Sequence, residues 1–419
     1  MAITAPRGTS DILPSDSALW QKVESVIRDV CRVYGYEEIR TPIFEHTELF
    51  ERGVGEATDI VEKEMYTFED RGERSLTLRP EGTASVVRSY IEHKMNGLSQ
   101  PNKLYYIGPM FRYERPQAGR YRQFHQFGLE AFGAGDPMID AEIIMVPIEI
   151  FKRLGITDVV VNLNSIGCND CRPKYKEKLK EFYAPQKDEL CEMCIKRFDR
   201  NPLRLLDCKV EKCKKIVSDP PKIYEMLCPE CEEHLAKLRA HLDKMGVKYV
   251  MNSRLVRGLD YYSRTTFEYT FGGIGSQDAL GGGGRYDSLV GECGGPDTPA
   301  VGMAGGIERC IMAMKAQSSC EDLIKRSIDA YFVAFGSDEC RDKAFYLAQK
   351  LREANISCDF DVMNRSLKAQ MRAADKLNAR YVVIIGEEEL SKGIFTIKNL
   401  EDGSQSQCNY DELVALIKG

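Results

Sequence analysis

The sequence predicts an α+β protein: a mainly antiparallel sheet flanked by helices, with an inserted helical segment and a C-terminal α/β domain. Three observations carry that prediction. Many of the strand-like runs before residue 272 are separated by turns too short for crossover helices, which favours antiparallel pairing. From about residue 168 to 248 strand signals fade, while lysines and eight cysteines accumulate. After about residue 325, apolar β runs alternate with helical stretches over fewer than one hundred residues. The expected organisation is 1–325, with 168–248 inserted within it, followed by 326–419.

Residues 15–34 read as an amphipathic helix. Ser15 or Asp16 can cap it, Leu19, Val23, Val26, Val30 and Val33 recur at helical spacing, and Gly35 ends it. The stretch from Tyr36 to Glu45 reads as a strand in which Pro42 marks an edge or a break in pairing. Further strands are expected at 75–79, 104–111, 121–132, 158–163 and 265–271. Residues 78–83, Leu-Arg-Pro-Glu-Gly-Thr, then open a helix containing Val86, Val87 and Tyr90. Gly281–Gly284 reads as a flexible glycine loop, a tight turn beside a ligand. It has neither the Lys-Ser/Thr of a P-loop nor G-x-G-x-x-G spacing. Small residues at 299–306 precede a helix whose first turns carry Glu308 and Arg309. In the last domain, strands are expected at 329–335, 358–362, 381–386 and 394–400, and helices at 340–354, 366–378 and 410–418.

The bulk numbers are those of a soluble globular chain: 419 residues, 43% hydrophobic and 29% charged. Net charge is −6, so a polyanionic partner must be met by local basic patches and not by the overall field. No secretion signal is apparent, and no apolar run approaches the roughly 20 residues that cross a bilayer. The expectation is a cytoplasmic protein with no membrane association. Fifteen cysteines without a secretion signal point to thiols or a metal site and away from a disulfide framework.

The richest chemistry lies at residues 111–130. Arg112, Arg115, Arg120 and Arg122 fall within eleven residues around a Pro-Gln-Ala-Gly turn. The guanidinium fork suits phosphate oxygens better than a lysine point charge does. On the return strand Arg122, Phe124, Gln126, Gly128 and Glu130 share one face, and Gly128 would leave a hollow between an amide and a carboxylate. Glu81 and Thr83 either start a helix or accept from a substrate ammonium. Arg257 could pair with Asp260 in a turn. The consecutive Tyr261 and Tyr262 would put one ring on each side of their strand. His125 reads as a packing or hydrogen-bonding residue.

The cysteines fall into close pairs: Cys168 and Cys171, Cys191 and Cys194, Cys208 and Cys213, Cys228 and Cys231. Two such pairs would complete a four-thiolate site for structural Zn2+, one ion or two, whose pairing spacing leaves open. Reduced structural thiols are the alternative. Residues 172–215 carry fourteen Lys/Arg against eight Asp/Glu, either a solvated helical face or a nucleic-acid contact. Lys368, Arg372 and Lys376 line one face of a helix whose Leu367, Met371 and Ala374 would turn inward.

Together these motifs resemble the class II aminoacyl-tRNA synthetases, and the histidyl-tRNA synthetase family in particular. Arg112 in Phe-Arg-Tyr-Glu is similar to the second class II motif, Gly306-Ile-Glu-Arg309 to the third, and the Pro42 strand to the first, which builds the dimer interface. Leu-Val-Arg-Gly-Leu-Asp-Tyr-Tyr (255–262) and Gly-Gly-Arg-Tyr-Asp (283–287) resemble the two histidyl motifs. The opening Arg7-Gly-Thr-Ser-Asp-Ile-Leu-Pro14 and the C-terminal module, similar to an anticodon-binding domain, extend the resemblance through the chain. Met303-Ala-Gly-Gly306 departs from the Phe-Ala pattern more usual in the third motif.

The resemblance implies activation of L-histidine by ATP with Mg2+, then transfer to tRNA(His), by a homodimer. It implies Arg257 and Arg112 at the α-phosphate, and Arg120 and Arg309 at the phosphate tail or adenine. Glu81, Gly82, Thr83, Gln126, Glu130, Tyr261, Tyr262 and Tyr286 would surround histidine. Arg115, Gln117, Arg122, Lys368, Arg372 and Lys376 would meet tRNA, and the inserted segment would approach its acceptor stem. Non-catalytic relatives of this family usually lack the C-terminal domain and erode the arginine motifs; both are present here.

Overall fold

The computed structural model describes residues 2–55, 58–275, 278–317 and 327–418. It divides into two compact units, Met1–Cys320 and Glu321–Gly419. The sequence-based boundary at 325/326 lies outside the described residues.

The first unit is built on an eight-stranded sheet. Its strands are β1 (Glu37–Glu38), β5 (Asn102–Phe111), β6 (Gln123–Phe132), β11 (Ala300–Gly306), β10 (Ala279–Arg285), β9 (Ser263–Thr270), β7 (Val160–Ser165) and β8 (Tyr249–Met251), in that spatial order. Only the two edge pairs, β1 with β5 and β7 with β8, are parallel; the interior pairs are antiparallel. The expected 36–45 strand is broken around Pro42. Its second half, β2 (Phe44–His46), joins β3 (Tyr66–Glu69) and β4 (Ser75–Leu78) in a small separate sheet. Helices α1 (Pro14–Val33), α2 (Thr47–Val54), α3 (Thr83–Glu92), α4 (Pro137–Arg153), α9 (Leu289–Glu292) and α10 (Ile307–Ala316) flank this framework.

Helix α1 forms as expected and buries Leu19, Val23, Val26, Ile27 and Val30. Its start differs: the N-cap is Leu13, with no side-chain cap bond, and Pro14 opens the helix where its missing N–H costs nothing. Val33, one turn past the buried stripe, is 59% exposed.

The larger correction concerns the glycines. Gly281–Gly284 is no loop but the interior of β10, and the small-residue run at 300–306 is its neighbour β11. Strand glycines weaken a sheet and ordinarily read as punctuation. Here the crowding on the pleat leaves no space for a Cβ: one built at Gly283 would lie 2.0 Å from the Gly302 carbonyl oxygen.

Between β7 and β8 the chain makes only helices and short turns: α5 (Cys171–Tyr183), α6 (Glu192–Arg200), α7 (Glu211–Ile216) and α8 (Pro229–Lys244). This segment is not independent of the sheet. Its Tyr175, Leu179, Tyr183, Phe198 and Leu205 share one apolar cluster with Val86, Val87, Tyr90, Tyr106, Phe132 and Tyr261. A buried polar tie reinforces the packing: His234 of α8 lies 3.0 Å from Asp140 of α4, which also holds the buried guanidinium of Arg285 at 3.0 Å.

The second unit is a five-stranded sheet in the order β13 (Cys358–Phe360), β12 (Ile328–Ala334), β14 (Ala379–Ile385), β15 (Phe395–Asn399) and β16 (Gln405–Cys408). Helices at Asp338–Glu353, Leu367–Lys376, Glu387–Lys392 and Tyr410–Lys418 accompany it. Strand β16 and the 387–392 helix went unread in the sequence because they are short and polar. In the 367–376 helix the inward residues are Gln370 and Ala374, while Leu367 is 43% exposed. Gln370 is buried because its amide both accepts from and donates to the backbone of Ala334, at 3.0 and 2.8 Å.

Candidate active site

Small residues make the floor of the site. In sheet register Tyr106 faces Gly128, Gly128 faces Ala304, Ala304 faces Gly282, and Gly282 faces Glu268, one row across five strands. Larger side chains lie down over these gaps. A Cβ at Gly282 would stand 2.7 Å from an Arg257 guanidinium nitrogen and 2.6 Å from the Phe267 carbonyl oxygen. The hollow expected at Gly128 is filled by the Tyr106 ring, clamped between Gly128 and Gly82; Cβ atoms there would sit 2.1 and 2.3 Å from its Cζ.

Above this floor is a cleft of about 220 Å³. Arg112, Arg120, Arg257 and Arg309 line one part of it, and Glu81, Thr83, Gln126, Tyr261 and Tyr262 another. Two cations of one hairpin, Arg112 and Arg120, thus converge with Arg257 and Arg309, which lie far along the chain, on one space.

Each arginine is aimed by the backbone or by an acid. Arg112 donates from Nε to the Pro80 carbonyl at 2.9 Å and stacks over Phe124, 5.4 Å from the ring centre. Arg120 pairs with Glu114 at 3.1 Å. Arg257 pairs with Glu268 at 3.0 Å, not with Asp260. Burial works against the Arg257 charge, but Tyr262 and Glu268 outweigh it and hold the guanidinium above its ordinary pKa. Arg309 donates to the carbonyls of Ala279 (2.5 Å) and Gly119 (3.3 Å). Its pKa is lowered, first by burial and then by the like charge of Arg120. Crowded, desolvated cations of this kind are stabilised by an anion placed among them.

The polar end is built around two buried carboxyls. Glu81 accepts the backbone N–H groups of Thr83 (2.8 Å) and Ala84 (2.7 Å), so it caps α3 and faces the cleft at once. Burial raises its pKa. Glu130 is fully buried; it accepts from the Thr83 hydroxyl at 2.7 Å and, in a very short bond, from the Tyr286 hydroxyl. Burial is the largest influence on Glu130 and pushes it up to about 8, against the pull of those two donors. Gly82, Glu130 and Tyr286 are buried and are not among the described residues that line the cleft. Tyr261 and Tyr262 precede β9 and do not point to opposite sides of it: their buried ring centres are 4.6 Å apart, and Tyr261 also meets Tyr286 edge-on.

Several contributors escaped the sequence reading. Tyr106, Glu268, Glu114 and Glu308 all touch the constellation; Glu114 and Glu308 stand in the hairpin and helix-start segments already singled out, whereas nothing local marked Tyr106. Glu308 accepts the His125 backbone N–H at 2.8 Å and pairs with its ring at 3.0 Å, which fits the bonding role read for His125. Further out on the hairpin, Arg115 and Gln117 are exposed, while Arg122 stacks 3.9 Å over Tyr113. Lys368, Arg372 and Lys376 are exposed along their helix in the second unit. The cysteines gather into two groups of four that could each hold a metal ion: 168, 171, 228 and 231, and 191, 194, 208 and 213.

An antiparallel sheet with one arginine at the mouth of a hairpin, another at the start of the helix after a small-residue strand, and both over one cleft, defines a class II aminoacyl-tRNA synthetase. Residues 8–310 match the family described as histidyl-tRNA synthetase, and residues 329–419 match the anticodon binding domain. The histidine–tRNA ligase of Desulforamulus reducens is 53% identical over 418 residues, covering 100% of this chain and 99% of that one. That of Halothermothrix orenii is 51% identical, covering 99% and 98%. Among solved structures, apo histidyl-tRNA synthetase of S. aureus superimposes with a TM-score of 0.84 at 39% identity, covering all of both chains. The chain belongs to the histidyl-tRNA synthetase family.

Proposed function

We propose that this protein joins L-histidine to ATP as histidyl-adenylate, with release of pyrophosphate, and then passes the histidyl group to the terminal ribose of tRNA(His). The convergence of Arg112, Arg257 and Arg309 on one cleft beside the Glu81–Thr83–Glu130 cluster is the observation that carries the reading. In the first step the histidine carboxylate attacks the α-phosphate, where negative charge grows. Arg112 and Arg257 meet that charge, and their fixed supports spare the reorganisation that water would require. Arg120 and Arg309 take the remaining phosphates or the adenine face. Mg2+ arrives as the counter-ion of the ATP substrate.

At the other end, Glu81 and Thr83 receive the ammonium group, while Gln126, Tyr261 and Tyr262 bound the side chain over Glu130 and Tyr286. A pocket that bonds imidazole nitrogens rejects apolar analogues because it would leave its own buried polar groups unpaired. Residues 1–325 serve as the catalytic domain of a cytoplasmic homodimer. The lysine-rich 168–248 segment, with Arg115, Gln117 and Arg122, faces the acceptor end of tRNA. Within 326–419, Lys368, Arg372 and Lys376 contact its phosphates. The clustered cysteines hold structural Zn2+. Among the described residues no helix is long and apolar enough to cross a membrane.

Histidine-dependent ATP–pyrophosphate exchange tests this directly. Arg257→Ala should lower exchange by ~10²–10³ with the protein still folded, as for loss of one charge-stabilising donor. Near-normal exchange in the folded variant would refute the assignment.

A further inference from the structure

The eight cysteines of the inserted segment are arranged as two nested sites. Cys168 and Cys171 meet Cys228 and Cys231, while Cys191 and Cys194 meet Cys208 and Cys213. Within each group the four sulfurs lie within 4.8 Å of one another. Three of the separations are 3.7 Å (Cys168–Cys171), 3.9 Å (Cys168–Cys228) and 3.9 Å (Cys191–Cys208). Four thiolates about one ion at bonds of ~2.3 Å form a tetrahedron with edges of ~3.8 Å, so the spacing is that of a single tetrahedral ion. Disulfide sulfurs would sit at ~2.0 Å, and the described cysteines are all free. A cubane iron–sulfur cluster puts each thiolate on its own iron and spreads them further apart.

A second observation is common to both groups. The Cys191 backbone N–H points at Cys213 Sγ (3.2 Å), and that of Cys228 at Cys171 Sγ (3.1 Å). Backbone donors to sulfur favour the thiolate form and orient it, as outer partners of metal ligands do.

We infer that this chain binds two Zn2+ ions through separate four-thiolate sites, and that the inner ion braces the active-site wall. The outer site joins the roots of the insertion, where the chain leaves β7 and where it enters α8. The inner site closes a loop containing α6 and the turn after it. From that loop Arg197 and Arg204 both hold Asp59, at 2.8 and 3.2 Å. Arg204 also donates to the Arg257 carbonyl (3.4 Å), and Asn201 donates to Asp260 (3.2 Å). Helices of six to nine residues do not hold their place unaided, so metal supplies the order. The metal count stands by itself; the bracing role rests on the proposed function.

The test uses the untagged full chain. Elemental analysis should give two zinc and no iron per chain, and cobalt exchanged into both sites should show the intense visible bands of tetrahedral thiolate coordination. Cys194→Ser and Cys231→Ser should each lose one ion and keep the other. Cys194→Ser should also lower histidine-dependent exchange, on the order of 10²-fold, as for a displaced catalytic group. Should either variant fail to fold, titrating wild type with a thiol-blocking mercurial against a zinc-sensitive dye still counts the ions released. Fewer than two zinc, stoichiometric iron, or loss of both ions in either variant overturns the two-site assignment. Two zinc in wild type, with full exchange in a Cys194→Ser chain that has lost one of them, overturns the brace. Two zinc in a wild type without exchange supports the sites and fails the proposed function instead.

Discussion

Replacing Glu130 by Gln should remove a pH dependence that the wild-type fold carries in its core. Glu130 is fully buried between the Thr83 and Tyr286 hydroxyls, and burial pushes its pKa from an ordinary 4.5 up to about 8. Below pH 4.5 the folded and unfolded chains are both protonated at this position. Between 4.5 and 8 the unfolded chain has released the proton while the folded chain keeps it, so folding stability falls as pH rises; above 8 both are ionised. The span of about 3.5 units corresponds to about 5 kcal/mol as an upper figure. The amide of Glu130→Gln has nearly the same volume and does not titrate, so its stability should stay flatter over that window. Urea unfolding of both proteins at intervals from pH 5 to 8, followed by circular dichroism, reads the difference between the two curves. Parallel curves would refute the claim that a neutral carboxyl sits beneath the cleft.

Two further outcomes are expected. Gly282→Ala forces a Cβ to within 2.6 Å of the Phe267 carbonyl and 2.7 Å of Arg257, so it should cost about 1–3 kcal/mol in an unfolding titration and suppress exchange further than that loss explains. Changing Lys368, Arg372 and Lys376 together to Glu should raise the tRNA KM and flatten its salt dependence, leaving histidine-dependent exchange intact; an equal loss of both activities would remove those residues from the tRNA surface.

The chemistry of this protein was legible wherever it sits in unusual local composition. Four arginines around one turn, paired cysteines and a lysine-rich insertion are departures from what an acidic chain would otherwise carry, and each announced a charge or a ligand. The α1 stripe was legible because burial on one face imposes a helical period, and four of the five strands of the C-terminal domain because they are apolar runs; β16, short and polar, was not. The site itself was less so, because its floor is made of glycine. Gly281–Gly284 carries no apolar alternation, and only neighbouring strands reveal that it lies mid-sheet with Arg257 resting on it.

Sequence alone determined which groups the molecule owns: the cations, the acids, the thiols and the helices that bear them. Tertiary structure decided which of them meet. It matched Cys168 with Cys228 across sixty residues, gave Arg257 to Glu268 in place of Asp260, and put Tyr106 where the hairpin promised a hollow. The reason is physical. Composition and period are local properties of a chain, whereas a contact between strands depends on register and on which neighbour is small enough to be covered.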